Sequence, residues 1–245
     1  MPRHLTPVLV ILALGVQLGC GDHSEVPTLP GGLWGEGPPA QVAALFDRSL
    51  GDGFFSFPWP SDSRVTADGA PDLSTFPNHG SGDMLDVYID TAMEQVTGFG
   101  TNPSIHVRFD GDLDPGRLPA PLDTLDADSP VQLLDVDPDS PERGRRIPLL
   151  LQLKDGDGTY VADQTLMAFP AVGFPLRSET TYAFVVLDSL ADADGLPLVV
   201  LELLQEALRG EGDPELAAVY APLAAHLTRV SPSSGRFLPV GRWLE

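Results

Sequence analysis

The chain has one cysteine, Cys20, and one lysine, Lys154, among its 245 residues. A single thiol excludes any intramolecular disulfide, so stability has to come from packing. Basic side chains are scarce, 14 against 35 acidic, which gives a net charge of −21 at pH 7. Such a chain repels nucleic acid, and no nucleic-acid partner is expected. The motifs of common enzyme chemistry are missing too: there is no G-x-S-x-G elbow, H-E-x-x-H pair, Walker loop, or dinucleotide G-x-G-x-x-G at a strand-to-helix turn. Beyond residue 20 the histidines are His23, His79, His106 and His226, too scattered to predict a triad or a metal cluster. No catalytic residue is assigned and no enzymatic activity is expected. The apolar fraction of 42% is nevertheless ordinary for a folded protein and predicts a real core.

One long apolar run is present, from Leu5 to Leu18, opening beside Arg3 and closing with Gly19 and Cys20. It is too short for a membrane span and has the layout of a secretory leader. The close Leu18, Gly19, Cys20 resembles a bacterial lipoprotein signal, with Gln17 departing from the usual pattern. On that reading residues 1–19 are the signal peptide and Cys20 is the lipid-carrying first residue of the mature chain. The expected partner is then a membrane, reached through the acyl chains, each buried CH₂ of which contributes about 0.8 kcal/mol. Gly21, where an Asp would resemble the inner-membrane retention signal, points to anchorage in the outer membrane.

Residues 20–41 are rich in Gly and Pro without an apolar period and read as a flexible tether. In the segment 42–100, Phe54, Phe55, Phe57, Pro58, Trp59 and Pro60 crowd together. Prolines around a tryptophan fit neither a helix interior nor a central strand, so an irregular aromatic ledge packed on the rest is expected. Apolar residues from Leu85 to Val96 recur at three and four, predicting a helix over Asp83 to Val96 with Ser81 or Asp83 as N-cap. Between residues 101 and 200 the period is two. Strands are predicted at Ile105–Phe109, Val131–Leu134, Pro148–Leu153, Thr159–Ala162, Thr165–Phe169 and Thr181–Leu187, with a hairpin turn over Lys154 to Thr159. That rhythm predicts a mainly β fold, an antiparallel β-sandwich with flanking helices. Residues 201–245 close it with a helical pair, the second helix capped by Asp213 with Pro214 at its first position.

The run Phe57, Pro58, Trp59, Pro60, Ser61, Asp62, then Gly98, Phe99 and Pro103 before Ile105–Phe109, resembles the N-terminal region of large bacterial secreted lipases and related extracytoplasmic lipoproteins. The stretch Leu176, Thr180, Thr181, Tyr182 to Val186, followed by Asp192, Asp194 and Gly195, is similar to the closing strands of bacterial Ig-like modules. In that family this region precedes an α/β-hydrolase domain. The resemblance implies that the sandwich is an antiparallel Ig-like β-sandwich, a module without the hydrolase domain, serving as a scaffold or as a binding module for a protein or surface ligand. The alternative it implies is the front domain of a lipase whose catalytic part is absent. None of these positions matches the family's nucleophile, acid or base.

Calcium is the one cofactor the residues suggest. Asp110, Asp112 and Asp114 alternate, and Asp155 and Asp157 sit in a glycine turn, the hard oxygen pattern a Ca²⁺ loop uses. Asp135, Asp137 and Asp139 alternate likewise, and Asp188, Asp192 and Asp194 follow the last strand. None completes an EF-hand loop, since the twelfth positions from Asp110 and Asp135 are Pro121 and Arg146; solvated acidic turns are the expected outcome. His79, Gly80, Ser81 and Gly82 are similar to an oxyanion loop, but read first as turn and cap chemistry. His226 is expected half-exposed on the last helix.

Overall fold

The computed structural model describes residues 8–12, 41–82 and 84–230, with side chains placed for all of these except 8–12, 229 and 230. Cys20, the rest of the expected leader, the tether to residue 40, Asp83 and residues 231–245 lie outside it. Alternating apolar residues build two small sheets. In the first, β2 (Ile105–Arg108), β5 (Thr165–Pro170) and β4 (Leu149–Leu153) run antiparallel with β5 in the middle. The second is the antiparallel pair β3 (Val131–Asp135) and β6 (Tyr182–Val186). To the outer edge of β6 a further strand, β1 (Val8–Leu12), adds in parallel, from within the segment expected to be the leader.

Both sheets feed one apolar cluster, in which Ile105 and Val107 meet Leu133, Leu149, Leu166, Phe184 and Val186, all fully buried. The reverse face of the β3–β6 pair forms a second cluster. There Leu134, Ala183 and Val185 pack against Leu204 and Ala207 of α2 (Glu202–Arg209) and Leu216, Tyr220 and Leu223 of α3 (Pro214–Val230). Each such large side chain contributes about 2 kcal/mol by leaving water. The C-terminal helical pair thus forms as predicted. Asp213 accepts hydrogen bonds from the backbone N–H of Glu215 (2.9 Å) and Leu216 (3.4 Å), and Gly210 ends α2 in the left-handed region at φ 74°.

Three expectations need correction. The helix α1 (Met84–Gln95) lies where the periodicity placed it, but of its apolar residues only Ile89 is buried, while Met84, Val87 and Tyr88 are exposed. Its start is held by Asp86, which accepts from the N–H of Gly80 (2.8 Å) and Gly82 (2.5 Å). Residues 159–162 form no strand. They belong to the long loop joining β4 to β5, where Lys154 Nζ donates to the carbonyls of Asp155 and Gly156, Asp163 accepts from Gly156 N–H, and Val161 O accepts from Gly158 N–H. Local polar bonds there outcompete a ladder, so the hairpin is real but its turn is not the short Asp155–Gly158 one. His226 is buried, not half-exposed, packing its Cε1 3.0 Å from where a Cβ on Gly144 would stand.

The aromatic ledge packs inward as expected. Phe54, Phe55 and Phe57 are buried, and Trp59, whose bond to Pro60 is cis, forms a single antiparallel bridge with His106 on the free edge of β2. Beside it Ala44 bridges Phe109, and Gly111 follows directly, with no room for a side chain: a Cβ there would stand 2.5 Å from Val42 Cγ2. We predict that Gly111→Ala destabilises the fold by about 1–3 kcal/mol through overpacking. Val42→Ala in the same chain should cost less than the sum of the two single changes, as a double-mutant cycle by urea denaturation would show.

Candidate functional site

Two stretches distant in sequence meet where the chain enters the fold. The backbone of Ala43 exchanges bonds with Asp110, its N–H donating to Asp110 Oδ1 (2.7 Å) and its carbonyl accepting from Asp110 N–H (3.0 Å). Leu113 bridges Asp192, and Ala193 N–H donates to Asp112 O (2.9 Å). These contacts open a cleft of about 380 Å³ lined by Gln41, Val42, Asp110, Asp112, Asp192 and Asp194. A neighbouring groove of about 630 Å³ shares Asp112 and continues over Leu151, Leu153, Lys154, Asp155 and Asp163. The cleft offers carboxylate and carbonyl oxygens and no cation, so it disfavours anionic ligands.

The sequence-predicted calcium ligands are divided by this arrangement. Asp110 and Asp112 come together in the cleft, joined by Asp192 and Asp194 rather than by Asp114. Asp114 instead turns away to accept from Gly116 N–H (2.8 Å) and to pair with Arg117 Nε (3.4 Å). Asp155 lies along the adjoining groove, and Asp157 accepts from Asp163 N–H (3.0 Å). The cleft carboxylates also have local partners: Asp112 Oδ1 takes the Gln164 side-chain amide (2.9 Å), and Asp192 Oδ1 takes the N–H of Asp194 (3.0 Å) and Leu196 (2.8 Å). Among the described residues no three His, Cys, Asp or Glu side chains are grouped to hold a metal ion.

The other concentration of chemistry is the ledge. Arg64 is buried, with its guanidinium carbon 3.8 Å above the Phe54 ring and 4.9 Å from Trp59, and Nη1 donating to Phe54 O (2.7 Å). Burial lowers its pKa to about 10, against the attraction of Asp72. Cation–π contact and one charge-assisted bond replace the lost hydration only in part, and Nε and Nη2 make no hydrogen bond. Nearby, the His106 ring lies tilted at 44° against Phe55 with centroids 4.9 Å apart, Nε2 3.3 Å from Ser104 Oγ and Nδ1 buried and unbonded. Ser104 directly precedes β2 and His106 lies within it; among the described residues no carboxylate bonds the ring, so the pair lacks the third member that a nucleophile and base require. His79 lies elsewhere, between Ser74 O (3.1 Å) and Asp90 Oδ1 (3.2 Å); these contacts raise its pKa, and Ser81 is not among its partners.

Sequence reasoning did not pick out Arg64, nor join Asp192 and Asp194 to Asp110 and Asp112. The one available signal for the latter was that both acidic stretches follow predicted strands, and that does not encode their meeting.

Burial lowers the pKa of His106 from 6.5 to about 4, with an interaction with the Ser104 backbone opposing the shift. A depressed folded-state value means that the unfolded chain binds the proton first as pH falls. The contribution of neutral His106 is therefore complete above pH 6.5 and is lost between pH 6.5 and about 4, amounting to about 3 kcal/mol. His106→Phe should flatten the stability profile in that window, as urea denaturation at half-unit pH steps would show.

No family model matches this chain, and comparison with curated proteins and with solved structures likewise gives no match.

Proposed function

We propose that this is a lipid-anchored extracytoplasmic bacterial lipoprotein, held in the outer membrane by Cys20, whose folded part is a non-catalytic Ig-like sandwich acting as a scaffold or binding module. The observation that carries the proposal is the placement of the sole cysteine directly after the apolar run and before a Gly- and Pro-rich tether. Gln41, the first described residue after that stretch, lines the acidic cleft.

The sandwich reading is supported by the two sheets sharing one core, and the non-catalytic reading by the unoriented Ser104–His106 pair. Among the described residues no helix is long and apolar enough to cross a membrane. A second reading, the front module of a secreted lipase, is favoured by the inward packing of the Phe57–Asp62 run that carries the resemblance. Both readings leave this chain without hydrolytic residues of its own.

Intact-mass analysis of the membrane fraction is expected to show an N-terminus at Cys20 carrying acyl chains, and Cys20→Ser should release the protein from membranes. An unmodified N-terminus would sink the anchor. The purified chain should leave p-nitrophenyl esters unhydrolysed, and reproducible turnover by protein free of contaminating esterase would refute the non-catalytic part.

A further inference from the structure

The outer sides of β2, β3 and β6 are covered: Trp59 and Leu45 pair with β2, the segment 144–147 with β3, and β1 with β6. The outer side of β4 is open beyond its first residue. Lys154 N–H donates to Thr165 O (2.9 Å) and Pro148 O accepts from Ala171 N–H (2.8 Å). Since backbone groups alternate along a strand, Leu150 and Gln152 likewise face β5, while Leu149, Leu151 and Leu153 turn their N–H and C=O groups away from it. Leu149 N–H, on that outer side, goes to Thr124 Oγ1 (3.0 Å). The N–H and C=O groups of Leu151 and Leu153 have no hydrogen-bond partner among the described residues. The groove of about 630 Å³ runs along this edge, because four consecutive residues, Leu151 to Lys154, line it, whereas a hollow over one face of the sheet would be lined by alternate ones. β4 reads Leu-Leu-Leu-Gln-Leu, with no charge or proline to discourage pairing, and the next residue, Lys154, has its Nζ turned onto the carbonyls of Asp155 and Gly156.

We infer that this edge is a seat for an extended segment of a partner protein, apolar at alternate positions and cationic at one end, which joins the sheet beside β4. The inference gives a partner class to the binding-module reading and rests on that reading. An added strand lies about 4.8 Å from its neighbour, within the groove, and there its backbone meets the free groups of Leu151 and Leu153, the way peptides join an exposed sheet edge. Leu151 and Leu153 pack toward the core, and Leu113 and Leu118 complete the apolar lining. Every second side chain of the added strand therefore enters an apolar slot, while those between face water on the side of Leu150 and Gln152, both exposed. The charge sits at the Leu153 end, where Asp112, Asp155 and Asp163 line the groove against the single cation of Lys154. Gln164 holds Asp112 at this end, its N–H donating to Lys154 O (3.2 Å) and its side-chain amide to Asp112 Oδ1 (2.9 Å). The excess of carboxylates selects a cationic side chain on the partner. A second copy fits poorly, since it brings a net charge of −21 to an equal one and its β4 offers no free cation, Lys154 being held by its own loop.

The test uses the whole 245-residue chain and a synthetic peptide, acetyl-Arg-Val-Thr-Val-Thr-Val-Arg-amide, whose two arginines bring a cation to the carboxylates in either direction of pairing. Hydrogen exchange read by NMR is expected to show the Leu151 and Leu153 amides exchanging freely in the dilute chain and slowed at least about tenfold by millimolar peptide. The Leu166 and Ala168 amides in β5 should stay protected throughout, as the control for folding. The same peptide N-methylated at its five central residues should give no protection, and a version with Glu in place of both Arg should bind at least about tenfold more weakly. Asp155→Lys, at an exposed loop position, should weaken the arginine peptide and leave the β5 amides protected. Edge amides that stay unprotected with the arginine peptide would overturn the assignment, as would equal binding of the glutamate or N-methylated peptide. Protection already present in the dilute free chain would give the edge to the chain itself, and protection that grows with protein concentration would give it to a second copy; either result also overturns it. Intact mass and ester turnover test the lipoprotein and non-catalytic readings by separate readouts, so a failure there is distinguishable from a failure here.

Discussion

The fold depends on one ribbon, β3 and β6, being buried on both of its faces. A strand sends alternate side chains to opposite sides. In β6 Tyr182, Phe184 and Val186 therefore enter the cluster shared by the two sheets, and Ala183 and Val185 enter the cluster under the helices. In β3 Leu133 goes one way and Leu134 the other. Both strands are accordingly buried at all five positions, Gln132 and Asp135 of β3 included, whereas in the half-exposed β4, Leu-Leu-Leu-Gln-Leu, burial alternates, with Leu149 buried and Leu150 exposed. A register slip of one residue in β6 would exchange the two cores' side chains, setting Phe184 against the helices and Val185 among the strands. The size difference between Ala183 and its neighbours Tyr182 and Phe184 opposes that exchange.

The ledge solves a different problem, the free edge of β2. Trp59 exchanges backbone bonds with His106 (3.1 and 2.6 Å), and Leu45 N–H donates to Arg108 O (2.8 Å), so the outward groups of β2 are paired without a full strand. Phe54, Trp59 and Phe99 then roof this corner with tilted and edge-on contacts near 5 Å. Arg64 is held under the same roof. Its flat cation lies on the Phe54 face as the strongly hydrated ammonium of a lysine would not, consistent with a chain whose basic residues are almost all arginine.

What the sequence made legible were the elements with local signatures. Asp213 and Pro214 announced α3, the alternation of Ile105, Val107 and Phe109 announced β2, and the prolines around Trp59 ruled out a regular element there. What it concealed depended on partners. The three-and-four spacing of α1 defined an apolar face but could not say whether anything covers it, and Met84, Val87 and Tyr88 stand exposed. Thr159–Ala162 had strand-like composition, yet Lys154 and Asp163 had already committed the surrounding backbone to a loop. The acidic cleft arises because Leu113 bridges Asp192 across nearly eighty residues, a tertiary fact with no local pattern behind it.

The excess of carboxylates, the most extreme feature of the composition, is largely construction material. Asp47 accepts from the N–H of Ser49 and Gly51, Asp72 from Ser74, Asp86 from Gly80 and Gly82, Asp192 from Asp194 and Leu196, and Asp213 from Glu215 and Leu216. With 25 glycines and 25 prolines, much of the backbone lies in turns whose N–H groups find no ladder, and short acidic side chains satisfy them locally. The Ser49 and Ser74 hydroxyls, the largest cause for Asp47 and Asp72, and these backbone bonds favour the charged form and hold the pKa values of Asp47, Asp72, Asp86 and Asp213 below the ordinary carboxylate range. A carboxylate oxygen already aimed at two backbone amides is poorly placed to turn toward a cation. Alternating aspartates in so loop-rich a chain therefore argue for turn capping before they argue for calcium.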